Sequence, residues 1–246
     1  MSARDEEEAV VPSETRGLLE TIRCRDGVAP LLARHQERLA GSWRHWFRGA
    51  PPALVEIAGS AIAATRGVGG LVRIAFARNG REPAIAVTRR PLPPAPRHCR
   101  VAIAATARME PAAERSVKQL DRAWVERLAV AGVDETLVFD DEHGLLEGTR
   151  SNLFVWRGRE LVTPPVASGL VPGVVRAEWI ARAAEFGLTV VERAVTANDL
   201  RRCGALVLTG SGLGVVAVAE CDGRPVGSAS GREAVRRVRT RLLSGG

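Results

Sequence analysis

One lysine stands alone among the basic residues of this 246-residue sequence, and it is the side chain best suited to covalent chemistry. Lysine and arginine together number 35, and only Lys118 is a lysine. Arginine can replace lysine where a surface charge is enough, but a guanidinium group stays protonated and cannot attack a carbonyl. A retained primary amine therefore points to a Schiff base, formed with a carbonyl substrate or with pyridoxal 5'-phosphate (PLP). The alternative is an ordinary surface lysine kept by chance.

The composition is that of a soluble globular protein. Hydrophobic residues make up 46% of the chain and charged residues 26%, which is ordinary for such proteins. No apolar run approaches the roughly 18–20 residues that a membrane span needs. Residues 1–8 are acidic and polar, which is not the pattern of a signal peptide. We therefore expect a cytoplasmic location and no membrane partner.

Metal and nucleic-acid functions are not favoured. The four cysteines lack metal-type spacing and the four histidines form no ligand pair, so we expect reduced thiols and no metal site. The net charge of +7 raises the possibility of a nucleic-acid partner. However, the arginines are spread along the whole chain, and no basic run is interleaved with aromatic residues. We expect no nucleic-acid partner and interpret the charge as suited to anionic substrates.

The elements that must position Lys118 fall into two predicted domains. Residues 1–16 are predicted to be a poorly ordered lead, and residues 17–90 a small α+β domain with helical periods over Pro30–Trp46 and Pro51–Thr65. Residues 91–97 hold four prolines within six positions, which favours a stiff linker. Residues 98–246 alternate strand and helix patterns and form the larger predicted domain, with one helix expected over Gln119–Ala131.

Five short motifs follow Lys118 or surround it in a fixed order. They are Val117–Arg122 (VKQLDR), Glu147–Phe154 (EGTRSNLF), Thr163–Pro165 (TPP), Pro172–Arg176 (PGVVR) and Leu208–Ser211 (LTGS). Together they resemble the fold-type IV PLP enzymes, which are the class IV aminotransferases and the aminodeoxychorismate lyases. The resemblance covers roughly residues 17–225. It implies a two-domain α/β (α+β) fold like that of D-amino acid aminotransferase, with a small N-terminal α+β domain and a larger C-terminal PLP-binding domain.

The resemblance also implies roles for individual residues. Lys118 would hold PLP and later move the substrate proton, and Glu147 would bind the pyridine nitrogen of the cofactor. Without the motif around it, Glu147 would be interpreted as an exposed acidic residue in a turn. The phosphate would bind at the start of a helix, at Val174 and Val175, and at Ser211 and Gly212. Arg38 matches a phosphate-binding arginine of the small domain, although it is one of 34 arginines.

The sequence departs from the family pattern at several places. Val175 stands where many transaminases carry a threonine that contacts the phosphate. The chain has no tyrosine, whereas many relatives place one beside the cofactor. The segment before Leu19 is shorter than in relatives. These departures bear on specificity and activity more than on the fold.

The stretch Leu19–Arg23 (LETIR) resembles the lyase branch, in which Thr21 would match a threonine near the substrate. Our first interpretation is therefore an aminodeoxychorismate lyase-like enzyme that releases pyruvate from 4-amino-4-deoxychorismate to give 4-aminobenzoate. The alternative is a class IV aminotransferase of the D-amino acid or branched-chain type. A second alternative is a PLP-fold binding module that has lost turnover. The family resemblance further implies a homodimer and a small amino substrate.

Overall fold

The computed structural model describes residues 16–79, 82–94, 96, 98–105 and 115–243. The predicted lead, apart from Arg16, lies outside the described residues, as do Ala95 and Arg97 of the predicted linker. The described linker residues form neither helix nor strand. No described helix is long and apolar enough to cross a membrane.

The N-terminal part is a three-stranded antiparallel sheet with two helices on one face. Its strands, in the order β1-β2-β3, are β1 Gly17–Cys24, β2 Gly70–Asn79 and β3 Glu82–Arg90. Its helices are α1 Leu32–Trp46 and α2 Leu54–Ala63. Both helices lie within the ranges in which the apolar period predicted them.

Strand alternation gives this sheet two different faces. Leu18 and Ile22 on β1 are buried with α1 and α2, in a cluster that also holds Leu39 and Trp43. Because successive side chains of a strand point to opposite faces, Thr21 points away from the helices, and so does Arg73, its partner across β1 and β2. The second face of the small sheet is therefore free to form one wall of a site.

The C-terminal part contains a nine-stranded mixed sheet. Its strands are β4 Cys99–Ala105, β5 Glu135–Asp140, β6 Gly144–Gly148, β7 Asn152–Arg157, β8 Glu160–Thr163, β9 Thr189–Glu192, β10 Ala205–Gly210, β11 Gly214–Cys221 and β12 Arg224–Pro225. The pairing of β7 with β10 closes the path β10-β11-β4-β5-β6-β7 into a ring. An apolar cluster that includes Leu137, Leu153 and Leu208 lies among these strands.

The helices whose bounds lie within the described residues of this part are α3 Ala123–Glu126, α4 Val174–Arg182, α5 Ala197–Arg202 and α6 Ala229–Leu243, with 3-10 turns at Val166–Ser168 and Ala183–Phe186. Helices α4 and α6 pack against the sheet through a cluster that includes Trp179 and Val238. The arginine-rich α6 keeps its charges mostly exposed and buries Val235, Val238 and Leu242. The result is a two-part α/β (α+β) architecture, as expected from the sequence.

One predicted helix is much shorter than expected. The helical prediction over Gln119–Ala131 was wrong for most of its length, because α3 spans only Ala123–Glu126. The reason is that the backbone on either side of Gln119 pairs with β1: Leu19 N donates to Lys118 O at 3.0 Å, and Leu120 N donates to Gly17 O at 3.0 Å. A segment bonded to a strand edge cannot also supply those groups to a helix. The backbone of Lys118 is therefore fixed to the small sheet.

Candidate active site

A cavity of about 940 Å³ lies where the two parts of the chain meet. Seven of the eight residues predicted for the site line it: Thr21, Arg38, Lys118, Glu147, Val174, Ser211 and Gly212. Val175, the eighth, is 2% exposed and packs in the cluster around Trp179. Any contact of Val175 with a ligand in the cavity would therefore come from its backbone amide.

Lys118 projects into this cavity from the segment that is bonded to β1. Burial, and after it the positive charge of Arg38, lower the pKa of its amine to about 7, while Glu20 opposes the shift. A larger fraction of this amine is therefore neutral near pH 7 than for a lysine in water. A neutral amine is the form that attacks carbonyls and accepts protons.

Glu147 lies at the end of β6 in the cavity and is held by two groups. Its Oε2 accepts a hydrogen bond from Asn152 Nδ2 at 3.2 Å and from the backbone N of Val171 at 3.1 Å. Asn152 Nδ2 also donates to Val171 O at 2.9 Å, so the three residues form one unit. Burial raises the pKa of Glu147 to about 8, although Val171 and Arg122 work in the opposite direction. A carboxylate desolvated to this degree is suited to bind a cation.

The turn that joins Glu147 to Asn152 is organised by a second buried carboxylate, that of Glu135. It accepts hydrogen bonds from the Thr149 hydroxyl, from the Ser151 hydroxyl at 3.1 Å and from the backbone N of Arg150 at 3.2 Å. Glu135 is 5% exposed. Because these donors span the whole turn, the carboxylate fixes the path of the chain between Glu147 and Asn152.

Two loops in the cavity are suited to an anion. Helix α4 begins after Gly173 with no side-chain cap on its first turn, so its amides and dipole face the cavity at Val174. Gly173 is required there, because a Cβ atom would overlap the Asn152 side chain. The second loop, Ser211–Leu213, joins β10 to β11 and also lines the cavity.

Arg38 reaches the cavity as part of a buried group on the helix side of the small sheet. Its Nε donates to Glu20 Oε1 at 2.9 Å, and its Nη2 donates to Glu20 Oε2. His35, one turn earlier on α1, contacts the same carboxylate through Nδ1 at 2.6 Å and Ser211 Oγ through Nε2 at 3.4 Å. Burial lowers the pKa of His35, so we take the ring as neutral. Glu20 can only accept, so His35 Nδ1 carries the proton and Nε2 accepts from the Ser211 hydroxyl.

Two further arginines line the cavity near Lys118. Arg73 is the cross-strand partner of Thr21, and Arg122 follows Lys118 by four residues and donates Nη2 to the carbonyl of Thr149. Like Arg38, both Arg122 and Arg73 lower the pKa of the Lys118 amine, so they add positive potential close to it. This arrangement is suited to a small substrate that carries a carboxylate.

The sequence interpretation missed several of these residues. The residues not predicted for the site are Glu20, His35, Arg73, Arg122, Glu135 and Asn152. A signal for Glu20 was present: it has the same strand parity as Leu18 and Ile22, so it is a charged residue at an inward-facing position. His35 and Arg38 are spaced i, i+3 on one helix, which places them on the same face.

A buried and partly neutral amine, a desolvated carboxyl group and an anion cradle in one cavity are the features of an enzyme that works through a covalently bound carbonyl group. The sequence profile described as "Amino-transferase class IV" matches residues 17–221. The chain is 30% identical, over 97% of its length and 92% of the relative, to a protein of Methanocaldococcus jannaschii named as a candidate branched-chain-amino-acid aminotransferase.

Solved structures agree with this assignment. The fold matches a hypothetical aminotransferase from Mycobacterium tuberculosis in its PLP-bound form, with a TM-score of 0.84 and 22% identity over 97% of this chain and 95% of that one. It also matches 4-amino-4-deoxychorismate lyase from Pseudomonas aeruginosa, with a TM-score of 0.74 and 25% identity over 97% and 98% of the two chains. The chain belongs to the class IV aminotransferase family and is a PLP-dependent enzyme of that family.

Proposed function

We propose that this enzyme is an aminotransferase, which moves the amino group of a small amino donor to a 2-oxo acid. The observation that carries the proposal is that the sole lysine faces the same cavity as Glu147 and the two anion-binding loops. The similarity to the M. jannaschii protein, which spans nearly the whole of both chains, supports a transaminase over the lyase of our first interpretation. The proposed substrates are a small amino donor and a 2-oxo acid.

The residues present fit PLP. Lys118 Nζ would hold the cofactor covalently, and Glu147 would bind its pyridine nitrogen. The phosphate would bind to the backbone amides of Val174 and Val175, to Ser211 and Gly212, and to Arg38. Each protein group matches the chemistry of its partner: a partly neutral amine for a carbonyl, a desolvated carboxylate for a protonated nitrogen, and amides with a guanidinium for a dianion.

When bound, PLP supplies an electron-withdrawing ring that eases bond breaking at the α-carbon of the substrate. Glu147 would keep a proton on the pyridine nitrogen, because its buried carboxylate is not solvated and is stabilised by a positive charge beside it. The Val171 amide and Asn152 hold the carboxylate oxygens, so its orientation is set before the substrate arrives. This preorganisation is the main electrostatic contribution of the protein at that end of the cavity.

Lys118 acts as the general base and acid at the other end. A group with a pKa of about 7 is neutral often enough to accept a proton and acidic enough to return it at neutral pH. We propose that Lys118 Nζ, once the amino group of the donor has displaced it from the cofactor, would take the proton from the α-carbon of the donor and deliver it to the former carbonyl carbon of the cofactor. Its backbone bonds to β1 fix the segment that carries the amine to the small sheet.

The wall formed by Thr21, Arg73 and Arg122 binds the carboxylate of the donor in this proposal. Thr21 offers a hydroxyl, and Arg73 lies beside it on the neighbouring strand. Arg122 is held in place by its bond to the Thr149 carbonyl. An arginine fork matches the geometry of a carboxylate better than an ammonium group does.

A single-turnover experiment tests the proposal. Purified enzyme loaded with PLP is mixed with D-alanine, L-leucine or L-glutamate, and absorbance and 2-oxo acid are followed. We expect at least one donor to remove the absorbance of covalently bound PLP while one equivalent of the matching 2-oxo acid appears. The Lys118→Ala variant is the control and should release none. An enzyme that binds PLP but forms no 2-oxo acid with any donor of a broad panel would contradict the proposal. That result would favour a binding module without turnover.

A second candidate, the lyase reaction, is favoured by one observation: Thr21 lies on the cavity wall, where the lyase resemblance would require it. The similarity to the P. aeruginosa lyase supports the same candidate. Incubation with 4-amino-4-deoxychorismate tests it. If the enzyme forms equal amounts of pyruvate and 4-aminobenzoate, and the Thr21→Val variant forms neither, the lyase reaction would replace the transaminase proposal.

The homodimer, the cytoplasmic location and the lack of a nucleic-acid partner remain predictions. Ile85 and Val87 on β3 are exposed at 42% and 36%, which supports a partner surface on that strand. Sedimentation velocity of the loaded enzyme tests the dimer, and a single species at the mass of one chain would contradict it.

A further inference from the structure

The loop Ser211–Leu213 faces the cavity and is also bonded to Arg23 of the small sheet. Gly212 and Leu213 line the cavity, whereas Arg23 on β1 is not among the described residues that line it. Arg23 Nη1 donates to Ser211 O at 3.1 Å and to Gly212 O at 3.2 Å. One guanidinium nitrogen of the small sheet therefore bonds to two consecutive carbonyls of the larger part.

These two bonds determine where the neighbouring amides point. A planar trans peptide places its C=O and N–H on opposite sides of the chain. The carbonyl of Ser211 shares its peptide with the amide of Gly212, and the carbonyl of Gly212 shares its peptide with the amide of Leu213. When Arg23 holds both carbonyls, both amides are turned away from it. Successive amides turned to one side form a concave anion site.

We propose that Arg23 is a positioning residue for the anion cradle: it fixes the Gly212 and Leu213 amides toward the phosphate of PLP without contacting the phosphate itself. The inference rests on the proposed function, because it requires that the cavity bind PLP. It adds a residue from the small sheet to a loop of the larger part. Assembly of the phosphate site then depends on contact between the two parts of the chain.

The surroundings of Arg23 support a specific role over a general charge effect. Burial lowers the pKa of Arg23, and Arg239 and Arg25 lower it further. The three positive charges repel one another, so the charge of Arg23 by itself destabilises this position. The hydrogen bonds that Arg23 donates to the loop offset that repulsion. Arg25 lies two residues along the chain, is exposed, and has no hydrogen bond to the loop among the described residues. It carries the same charge and offers a matched control.

The test compares PLP with pyridoxal, which has the same aldehyde and ring but no phosphate. Dissociation constants of both are measured by quenching of tryptophan fluorescence in wild type, Arg23→Gln, Arg23→Met and Arg25→Gln. We expect Arg23→Gln and Arg23→Met to weaken PLP binding at least tenfold and to change pyridoxal binding less than twofold. Arg25→Gln should leave both constants within twofold of wild type.

The alternatives give different results. An equal loss for PLP and pyridoxal would mean a merely structural role, and an equal loss in Arg25→Gln would mean a long-range charge effect; either overturns the inference. A wild type that prefers PLP, with Arg23 variants that keep this preference, overturns the role of Arg23 alone. A wild type that binds PLP no better than pyridoxal overturns the proposed function as well.

A measurement on the wild-type protein covers the case in which the variants do not fold. Inorganic phosphate is titrated into 15N-labelled protein free of PLP, and the amide resonances of Gly212 and Leu213 are followed. We expect both to shift downfield and to saturate with one dissociation constant. Unchanged resonances for these two amides, while others in the cavity shift, would overturn the inference.

Discussion

Glu20 and Arg38 form a buried ion pair at the edge of the cavity, with side chains 3% and 7% exposed. Burial alone would raise the pKa of Glu20, but Arg38 and His35 hold it far below its usual value. Two of the donors of Arg38 are used by Glu20, so the remaining donors point in a fixed direction. The same carboxylate orients His35 toward Ser211.

Glu20→Gln is expected to destabilise the protein by about 3 kcal/mol, because it leaves the Arg38 charge buried without a counterion. The double variant with Arg38→Met should lose much less than the sum of the two single changes. Urea unfolding at pH 7 measures the coupling. Glu37→Gln on the same helix is the control: its ion pair with Arg34 is exposed at the Glu37 side chain, so its cost should stay below about 1 kcal/mol. Strict additivity of Glu20 and Arg38 would contradict the prediction.

The same pair predicts a pH dependence. A carboxyl group whose pKa is lowered in the folded state adds stability above its unfolded pKa, and this contribution is lost as the pH falls. The difference between wild type and Glu20→Gln should therefore be constant from pH 6 to 8 and shrink below about pH 4.5. Urea midpoints at four pH values measure it. A difference that grows on acidification would be inconsistent with the ion pair.

The rate at which Lys118 captures PLP is expected to level off near neutral pH. Only the neutral amine attacks a carbonyl, and burial brings the pKa of Lys118 to about 7, so the neutral fraction is nearly complete by pH 8. Stopped-flow absorbance from pH 5.5 to 9.5 measures the rate. A free lysine would give a rate that still rises about tenfold per unit at pH 9. Lys118→Arg should show no covalent absorbance at any pH, since guanidinium stays protonated.

Glu147→Gln is expected to have opposite effects on the two forms of the enzyme. Without PLP, the raised pKa of Glu147, about 8, means that the carboxyl group contributes stability below pH 4.5, and that this is lost as the pH rises through 8. The variant without PLP should therefore match wild type near pH 5 and melt a few degrees higher at pH 8.5. With PLP bound, the carboxylate has a cationic partner, so wild type should melt higher and turn over on the order of 100-fold faster. Differential scanning at both pH values, with and without PLP, provides the comparison. The same order of stability in all four conditions would count against the assigned role of Glu147.

Gly173→Ala is expected to weaken PLP binding and to cost about 1–3 kcal/mol, because the new methyl group overlaps Asn152. Displacement of Asn152 would break its bonds to Glu147 and Val171. Gly41→Ala is the control, since Gly41 lies within α1 with open space around its Cβ position. That change should be neutral or stabilise by up to about 1 kcal/mol. Thermal unfolding and PLP titration measure both variants, and a Gly173→Ala protein that resembles Gly41→Ala would exclude the proposed packing.

The sequence alone determined the family and the architecture, and it predicted seven of the residues that line the cavity. The helical periods predicted α1 and α2 because one apolar face of each helix packs on the small sheet. The motifs predicted Lys118, Glu147 and the two anion-binding loops, because local composition determines such turns and helix starts. The presence of a single lysine predicted a covalent role for Lys118, since no arginine can perform that chemistry.

Only the tertiary structure decided how these parts are supported. Arg23 and the carbonyls that it holds are 188 and 189 residues apart in the chain, and no local pattern encodes a contact at that distance. The helix predicted after Lys118 is shortened because the backbone there bonds to β1 instead, and a strand edge competes with a helix for the same donors and acceptors. Likewise, Glu20, His35 and Arg38 form one hydrogen-bonded cluster only because the fold buries them together, since a buried charge requires hydrogen-bond partners.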